Sequence, residues 1–125
     1  MSHPFETFAD ERFISLTTFR KSGAAVATPV TKLALHEGKL YIVTGVTTGK
    51  MKRLRHTTRA QVAACKSNGQ LTGETIDAKV RVLNAGETQS LFDARIVRLN
   101  LIMRVFNFLR ERRAGGNVYL EIAAA

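Results

Sequence analysis

The sequence predicts a mainly β protein, a small and mostly antiparallel barrel of six strands with two helices. Six segments are rich in β-branched, aromatic or small apolar residues, and the first three are joined by two short turns. Two other segments have helical spacing, a short one after the third strand and a longer one before the last. An open sheet with one helix packed across it fits the same pattern, and periodicity does not distinguish the two.

The first part of the chain has the pattern of a three-stranded meander. Residues 13–20, FISLTTFR, alternate between two faces and are mostly β-branched or aromatic, which predicts the first strand. A glycine-containing turn leads to a second strand over 25–35, and the turn HEGK leads to a third, KLYIVT, at 39–44. Because proline donates no ladder hydrogen bond, Pro29 predicts an edge, a bulge or a change of strand partner.

The middle of the chain changes to helical spacing and then back to strand. Met51 and Leu54 lie three residues apart within 49–56, which predicts one or two helical turns. The small apolar segment at 60–66 and the alternating segment at 75–83 are the predicted fourth and fifth strands, with a turn-rich stretch between them.

The last part of the chain predicts a long helix and a closing strand. The helix begins in NAGETQ at 84–89, continues over 88–113 and ends at Gly115 and Gly116. Its apolar stripe favours packing in the core or at a subunit interface over a helix lying on a membrane surface. NVYLEI at 117–122 is the predicted sixth strand.

The composition favours an anionic partner. The 125 residues include 19 Lys and Arg against 10 Asp and Glu, a net charge of +9. Such a charge suits a phosphorylated cofactor, nucleic acid or an acidic membrane surface. One cysteine and three scattered histidines supply neither disulfides nor a Cys/His metal site from one chain. The sequence has no signal-peptide pattern and no membrane-spanning apolar run, so we expect one cytoplasmic domain over 1–125 without stable membrane insertion.

The most informative segment is a basic run at 47–59, TTGKMKRLRHTTR. Between Glu37 and Glu74 the chain has no acidic residue but seven lysines and arginines. A merely solvated helix face usually carries both signs of charge, so the missing acids favour an anion-binding site. The end of a strand that leads into a helix offers backbone N–H, hydroxyl and ammonium groups, which together suit a phosphate.

Two enzyme classes fit this run poorly. A phosphate-binding P-loop needs four residues between its glycines and Ser or Thr after its lysine. Here three residues separate Gly45 from Gly49, and Met51 follows the lysine, which disfavours a nucleotide hydrolase. Neither His56 nor Cys65 has a visible catalytic companion, so a hydrolase with a nucleophile and a base is also unsupported.

Nucleic acid is also a poor fit as the partner. Proteins that bind single strands stack bases on aromatic side chains. The nine aromatic residues lie at or before Tyr41 or at or after Phe92, so the basic run contains none, and no RNP-like motif is present. We therefore expect a small anionic molecule and no nucleic acid.

Four segments carry a resemblance to a known family: FISLTTFRKSG, VATPV, EGKLYIVTGVTTGKMKRLRHTTRAQVAAC and NGQLTGE. Together they resemble the pyridoxamine 5'-phosphate oxidase-like split-barrel superfamily, and within it the short actinobacterial oxidoreductases that depend on a deazaflavin, coenzyme F-420. The similarity runs from Phe13 to the closing VYLEI and is most specific between Thr28 and Lys66. It implies a six-stranded split β-barrel that forms a homodimer, with FMN or deazaflavin in a groove between the subunits.

The resemblance also implies which residues contact the cofactor ring. The family's second strand lines the flavin ring, and its counterpart here comprises Thr28, Pro29 and Val30. The third strand contributes Val43 and Thr44. These five residues are therefore expected to bind the ring.

A second set of residues is implied for the cofactor phosphate. The family's phosphate-binding Ser-Arg-Lys triplet falls on Thr48, Gly49 and Lys50, so that a hydroxyl and a lysine are kept while the arginine is lost. Lys52 and Arg53 are candidates to replace the missing charge. Relatives often carry an aromatic residue directly after the Pro-Val step, where this chain has a threonine and a lysine.

The chemistry implied by the resemblance is hydride transfer between the cofactor and a small organic substrate. In such enzymes the cofactor carries the difficult chemistry and the protein supplies orientation and electrostatics, so no catalytic acid or base is assigned. Coenzyme F-420 carries a phosphate and a glutamate tail, and a net charge of +9 suits it better than FMN. The alternative is a non-catalytic protein that carries or sequesters a flavin or a haem-like ligand.

Overall fold

The computed structural model describes residues 3–45, 48–97 and 116–125. These parts of the chain contain seven β-strands, two α-helices and a 3-10 helix. The strands are β1 Phe13–Phe19, β2 Ala25–Thr31, β3 Ala34–His36, β4 Lys39–Gly45, β5 Arg59–Cys65, β6 Ile76–Val82 and β7 Asn117–Ala124. The helices are the 3-10 helix Pro4–Phe8, α1 Gly49–Leu54 and α2 Ala85–Asp93. None of the helices in the described ranges is long and apolar enough to span a membrane.

The strands form one antiparallel sheet in the order β2-β1-β5-β6-β7-β4-β3. Its two edge strands, β2 and β3, are consecutive in the chain. The backbone N–H of Lys32 donates to the carbonyl of Arg12 beside β1, whereas that of Leu33 donates to the carbonyl of Tyr41 in β4. Neighbouring residues thus bond to the strands next to the two opposite edges, so the sheet curls until its edges approach each other, as in a split barrel.

The prediction of six strands is wrong by one within the described ranges. The second predicted strand, 25–35, is two strands, because the chain leaves β1 and joins β4 at Lys32 and Leu33. Pro29 lies on the edge strand β2 opposite Ser15, so the expected edge position is confirmed. The change of partner follows three residues later.

The long predicted helix is also shorter than expected. Its start is confirmed: the Asn84 side chain accepts from the N–H of Glu87 at 2.8 Å, and the Glu87 carboxylate accepts from the N–H of Asn84 at 3.2 Å. The helix ends at Asp93 because Arg95 adopts a left-handed conformation with φ 58° and the next N–H returns to the carbonyl of Leu91. The predicted continuation over 98–113 and its end at Gly115 lie outside the described residues.

The barrel interior is filled by alternate residues of the strands and closed at both ends by helices. The fully buried apolar side chains of the strands include Ile14, Leu16, Leu40, Ile42, Val62, Leu120 and Ile122. The N-terminal 3-10 helix, which the sequence did not predict, buries Phe5 and Phe8 completely in the same core. Fully burying such a side chain contributes about 1.5–3 kcal/mol. At the opposite end, α1 begins at the predicted position and buries Leu54.

The outer face of β4 and β7 is covered by α2 and the residues after it. Tyr41 and Tyr119 pack there against Leu91 and Val97. Beside this cluster the Glu121 carboxylate accepts from the Tyr41 hydroxyl at 3.1 Å and from Arg81, which also pairs with the first turn of α2. Burial raises the pKa of Tyr41 to about 12, with Glu121 adding to the effect. Through Arg81, these interactions hold the first turn of α2 against the sheet.

A basic cleft at one end of the barrel

The basic run lies at the end of the barrel that α1 closes. β1 and β4 end there and β2 begins there, so the turn between β1 and β2 comes next to α1. A cleft of about 340 Å³ opens between the turn and the helix. Its lining comprises Arg20, Lys21, Gly49, Lys52, Arg53 and His56. The cleft therefore combines residues that lie about thirty positions apart in the sequence.

The charged side chains of the cleft lining are all basic. Two come from the β1–β2 turn, Arg20 and Lys21, and two from α1, Lys52 and Arg53. None of the four forms an ion pair with an acid in the described part of the chain. Burial and the nearby charge of Arg20 lower the pKa of Arg53 below its ordinary value. Unpaired like charges at this spacing repel one another, and a bound anion would relieve the repulsion.

Arg53 is the most constrained of these cations. It is half-buried, and its Nε donates a hydrogen bond to Oγ1 of Thr18, which is 0% exposed on the inner face of β1. A Cβ atom on Gly49 would lie 2.8 Å from Nη1 of Arg53, so the guanidinium lies close against the glycine backbone. Neither terminal nitrogen of Arg53 bonds to another described residue, which leaves both available to a ligand.

Two hydroxyl groups connect the end of β4 to the start of α1. Oγ1 of Thr44 lies 3.2 Å from Oγ1 of Thr48, and Thr44 is only 4% exposed. Thr48 precedes the helix in an extended conformation, but its side chain makes no capping bond to α1. Since a hydroxyl can both donate and accept, Thr48 can still bond to an anion while it contacts Thr44. Lys50 is half-buried on α1 and does not line the cleft.

The three residues of β2 that were expected to contact a flavin ring do not share one face. In the strand register, Thr28 and Val30 lie opposite two interior residues of β1. Both therefore face the barrel interior, where Val30 belongs to the core. Pro29 faces outwards, and its ring atoms lie 3.8 Å from the Cβ position of Gly69. The assignment of these three residues to a cofactor ring stays a prediction.

The two β4 residues also divide between the faces. Val43 packs on the outer face against the cluster under α2, whereas Thr44 faces inwards near α1. The structure therefore groups the phosphate-binding candidates Gly49, Lys52 and Arg53 in one cleft. It does not place the ring-binding candidates on one continuous surface of the described chain, and their role also stays a prediction.

Sequence reasoning missed several residues of the cleft. Arg20 was assigned to the end of the first strand and Lys21 to the turn after it, and neither was assigned to an anion site. Thr18, which accepts the hydrogen bond from Arg53, was interpreted only as a strand residue. His56, for which no catalytic companion was found in the sequence, is exposed and also lines the cleft. The position of Arg20 and Lys21 could have been inferred from the predicted meander. The first and third strands of a meander end at the same side of the sheet, so the turn after the first strand lies near the end of the third. Among the described residues, no three His, Cys, Asp or Glu side chains form a group that could hold a metal ion.

The fold is shared with proteins of known structure, although the sequence matched no protein-family model and none of the curated proteins. One similar structure is a protein related to general stress protein 26, of the pyridoxinephosphate oxidase family, from Clostridium acetobutylicum, with TM-score 0.67, 14% identity and coverage of 99% of this chain and 86% of that one. Another is a pyridoxamine 5'-phosphate oxidase-related, FMN-binding protein from Nostoc punctiforme. Its TM-score is 0.62 at 15% identity, and the match covers 95% of this chain and 72% of that one.

A third similar structure is a heme storage protein from Vibrio cholerae, with TM-score 0.63, 8% identity and coverage of 100% of this chain and 92% of that one. At these identities the comparisons show the fold alone. The described part of the chain therefore has the same curled, antiparallel fold as these proteins of known structure.

Proposed function

We propose that the protein is an oxidoreductase that binds coenzyme F-420 or FMN with the cofactor phosphate in the basic cleft. The observation that carries the proposal is the convergence of Arg20, Lys21, Lys52 and Arg53 on one cleft, without an acid paired to any of them in the described chain. The shared fold with an FMN-binding protein supports the choice of a flavin-type cofactor. Once bound, such a cofactor supplies hydride chemistry toward a small organic substrate.

The residues of the cleft fit a phosphate group. Arg53 has two terminal nitrogens that make no hydrogen bond to another described residue, and this geometry allows paired hydrogen bonds to phosphate oxygens. Lys52 and Lys21 are exposed cations that add positive potential without a fixed geometry. Thr48 is not part of the cleft lining, but it directly precedes the lining residue Gly49 and has a hydroxyl at the start of α1. These residues bind and orient the anion, and none is assigned to a proton transfer.

The number of cations supports the deazaflavin over FMN. One phosphate monoester carries a charge of roughly −1.5 to −2 near neutral pH. Four lysines and arginines line the cleft, and none of the described residues that line it is acidic. A cofactor with a phosphate and an acidic tail would use more of this charge than FMN does. We place the ring, as in the resembling family, in a groove between two subunits of a homodimer.

The proposal is tested by titrating the protein with coenzyme F-420 and with FMN at several salt concentrations. We expect saturable binding that weakens as salt rises, because exposed charges are screened. Lys52→Ala should weaken binding. The matched control is Lys79→Ala, at an exposed lysine on β6 that pairs with no described acid, and it should not weaken binding. Failure to bind either cofactor would refute the proposal.

A non-catalytic carrier is the second candidate function. The similarity of the fold to a heme storage protein is the observation that favours it. Turnover separates the two candidates: an oxidoreductase reoxidises the bound reduced cofactor with a small organic acceptor, whereas a carrier holds it unchanged. Tight binding without turnover across a panel of electron-poor acceptors would assign the carrier function.

A further inference from the structure

One buried hydroxyl in the barrel interior has a partner that points to a specific role. The other interior residues of β1, Ile14 and Leu16, are apolar and fully buried, and Thr18 continues the same face at 0% exposure. A hydroxyl in an apolar interior lowers stability unless it is hydrogen-bonded. The partner of Thr18 is Nε of Arg53, a residue 35 positions later on α1.

This hydrogen bond restricts the orientation of the guanidinium group. Nε lies in the guanidinium plane next to the aliphatic stem, so a bond from Nε to a fixed acceptor limits rotation of the plane. Gly49 completes the arrangement because its missing Cβ would lie 2.8 Å from Nη1 of Arg53. The guanidinium is thus held between a buried hydroxyl and a glycine, with both terminal nitrogens free of described partners.

We infer that Thr18 is the positioning residue of the anion site: it holds Arg53 so that the two terminal nitrogens bond jointly to the oxygens of a phosphoryl group in the cleft. Gly49 has the complementary role of leaving room for the guanidinium. The inference rests on the proposed function and deepens it, since it makes the cleft selective for phosphoryl groups rather than for negative charge in general. A lysine at position 53 could not be oriented in this way, because an ammonium group is a point charge without a planar fork.

The probe for this inference is inorganic pyrophosphate, whose binding does not depend on which flavin the protein uses. We expect Thr18→Val, which keeps the side-chain shape but removes the acceptor, to weaken pyrophosphate binding by roughly tenfold in calorimetric titrations. Thr18→Ser keeps the hydroxyl and should bind within about twofold of the wild type. In an Arg53→Lys background, Thr18→Val should have no further effect, because the bond it removes is already absent.

Gly49→Ala gives an independent arm of the same test. The added Cβ would displace the flexible end of Arg53 without removing its charge, and we expect weaker pyrophosphate binding. The matched control is Gly86→Ala in α2, where the new Cβ would meet Oδ1 of Asn84 at 3.4 Å and no cleft residue. This control should bind as the wild type does. Thermal unfolding of every variant identifies any that fail to fold. If Thr18→Val fails to fold, Gly49→Ala and Thr18→Ser remain informative.

The outcomes separate this inference from the proposed function. Three results would each overturn the role of Thr18. The first is a Thr18→Val variant that binds pyrophosphate as tightly as the wild type. The second is a Thr18→Val substitution that weakens binding as much in the Arg53→Lys background as in the wild type, and the third is a wild type that does not bind pyrophosphate. If the wild type binds pyrophosphate with the expected pattern but binds neither FMN nor coenzyme F-420, the anion site stands and the cofactor proposal fails. If it binds a cofactor while Thr18→Val binds that cofactor equally well, the cofactor proposal stands and this inference fails.

Discussion

Replacing Arg53 is the most informative single perturbation of the cleft. In Arg53→Ala the phosphate loses the donor whose two terminal nitrogens have no partner among the described residues, and a charge-assisted hydrogen bond is worth about 1.5–3 kcal/mol. We therefore expect the dissociation constant of the phosphorylated cofactor to rise by about ten- to a hundredfold. Arg53→Lys keeps the charge but loses the planar fork, so its loss should be intermediate.

The same substitution also has a structural effect that can be separated from the binding effect. Removing Arg53 leaves the fully buried Thr18 hydroxyl without its described partner, which should lower the free energy of unfolding by roughly 1–3 kcal/mol. Calorimetric titration gives the binding change, and urea unfolding gives the stability change. A cofactor affinity within twofold of the wild type in folded Arg53→Ala would refute the reasoning.

Three further predictions concern the fold. Tyr41 should titrate only near pH 12 in the folded protein, because its pKa is raised to about 12. Its contribution to stability is therefore fully present below pH 10 and is lost as pH rises from 10 towards 12. The absorbance of tyrosinate measures this titration, and a titration near pH 10 would contradict the prediction. Although burial opposes the shift, hydrogen bonds from Arg81 and Tyr41 lower the pKa of Glu121 below 4.5. Its contribution should therefore decline as pH falls below that value, and urea midpoints at acidic pH should show a smaller loss in Glu121→Gln than in the wild type. Gly38→Ala should destabilise the protein by more than about 1 kcal/mol, because φ is +76° and the new Cβ would lie 2.5 Å from Nε2 of His3; an unchanged urea midpoint would count against this contact.

Local pattern was sufficient for most strands and for the tight turns. The turn HEGK was predicted from its residue types, and Glu37 and Gly38 indeed both adopt positive φ, 50° and 76°, as a two-residue hairpin requires. The break between β2 and β3 was not predictable in this way, because Lys32 and Leu33 carry no turn signal. Their backbone groups are divided between two edges of the sheet by tertiary pairing. The end of α2 was missed for a similar reason, since no glycine marks the left-handed residue Arg95.

Only the contiguous part of the candidate site was predicted from the sequence. The basic run indicated an anion site, and Lys52 and Arg53 do line one cleft. Arg20 and Thr18 contribute to the site because β1 ends at the end of the barrel that α1 closes. This brings Thr18 into contact with Arg53, which is 35 positions later in the chain. Meander topology indicates the end of the sheet at which Arg20 lies, but the contact between Thr18 and Arg53 cannot be predicted from spacing along the chain, because the packing of α1 on β1 must first be known.

The most direct test of the account compares the affinity of the wild-type protein for FMN and for riboflavin, which differ only by the phosphate. The same comparison applies to coenzyme F-420 and its chromophore lacking the phosphate and glutamate tail. We expect the phosphorylated ligand to bind at least about tenfold more tightly at low salt, with the ratio falling as salt screens the cleft cations. Equal affinity for the phosphorylated and the unphosphorylated ligand at low salt would contradict the claim that the basic cleft binds a cofactor phosphate.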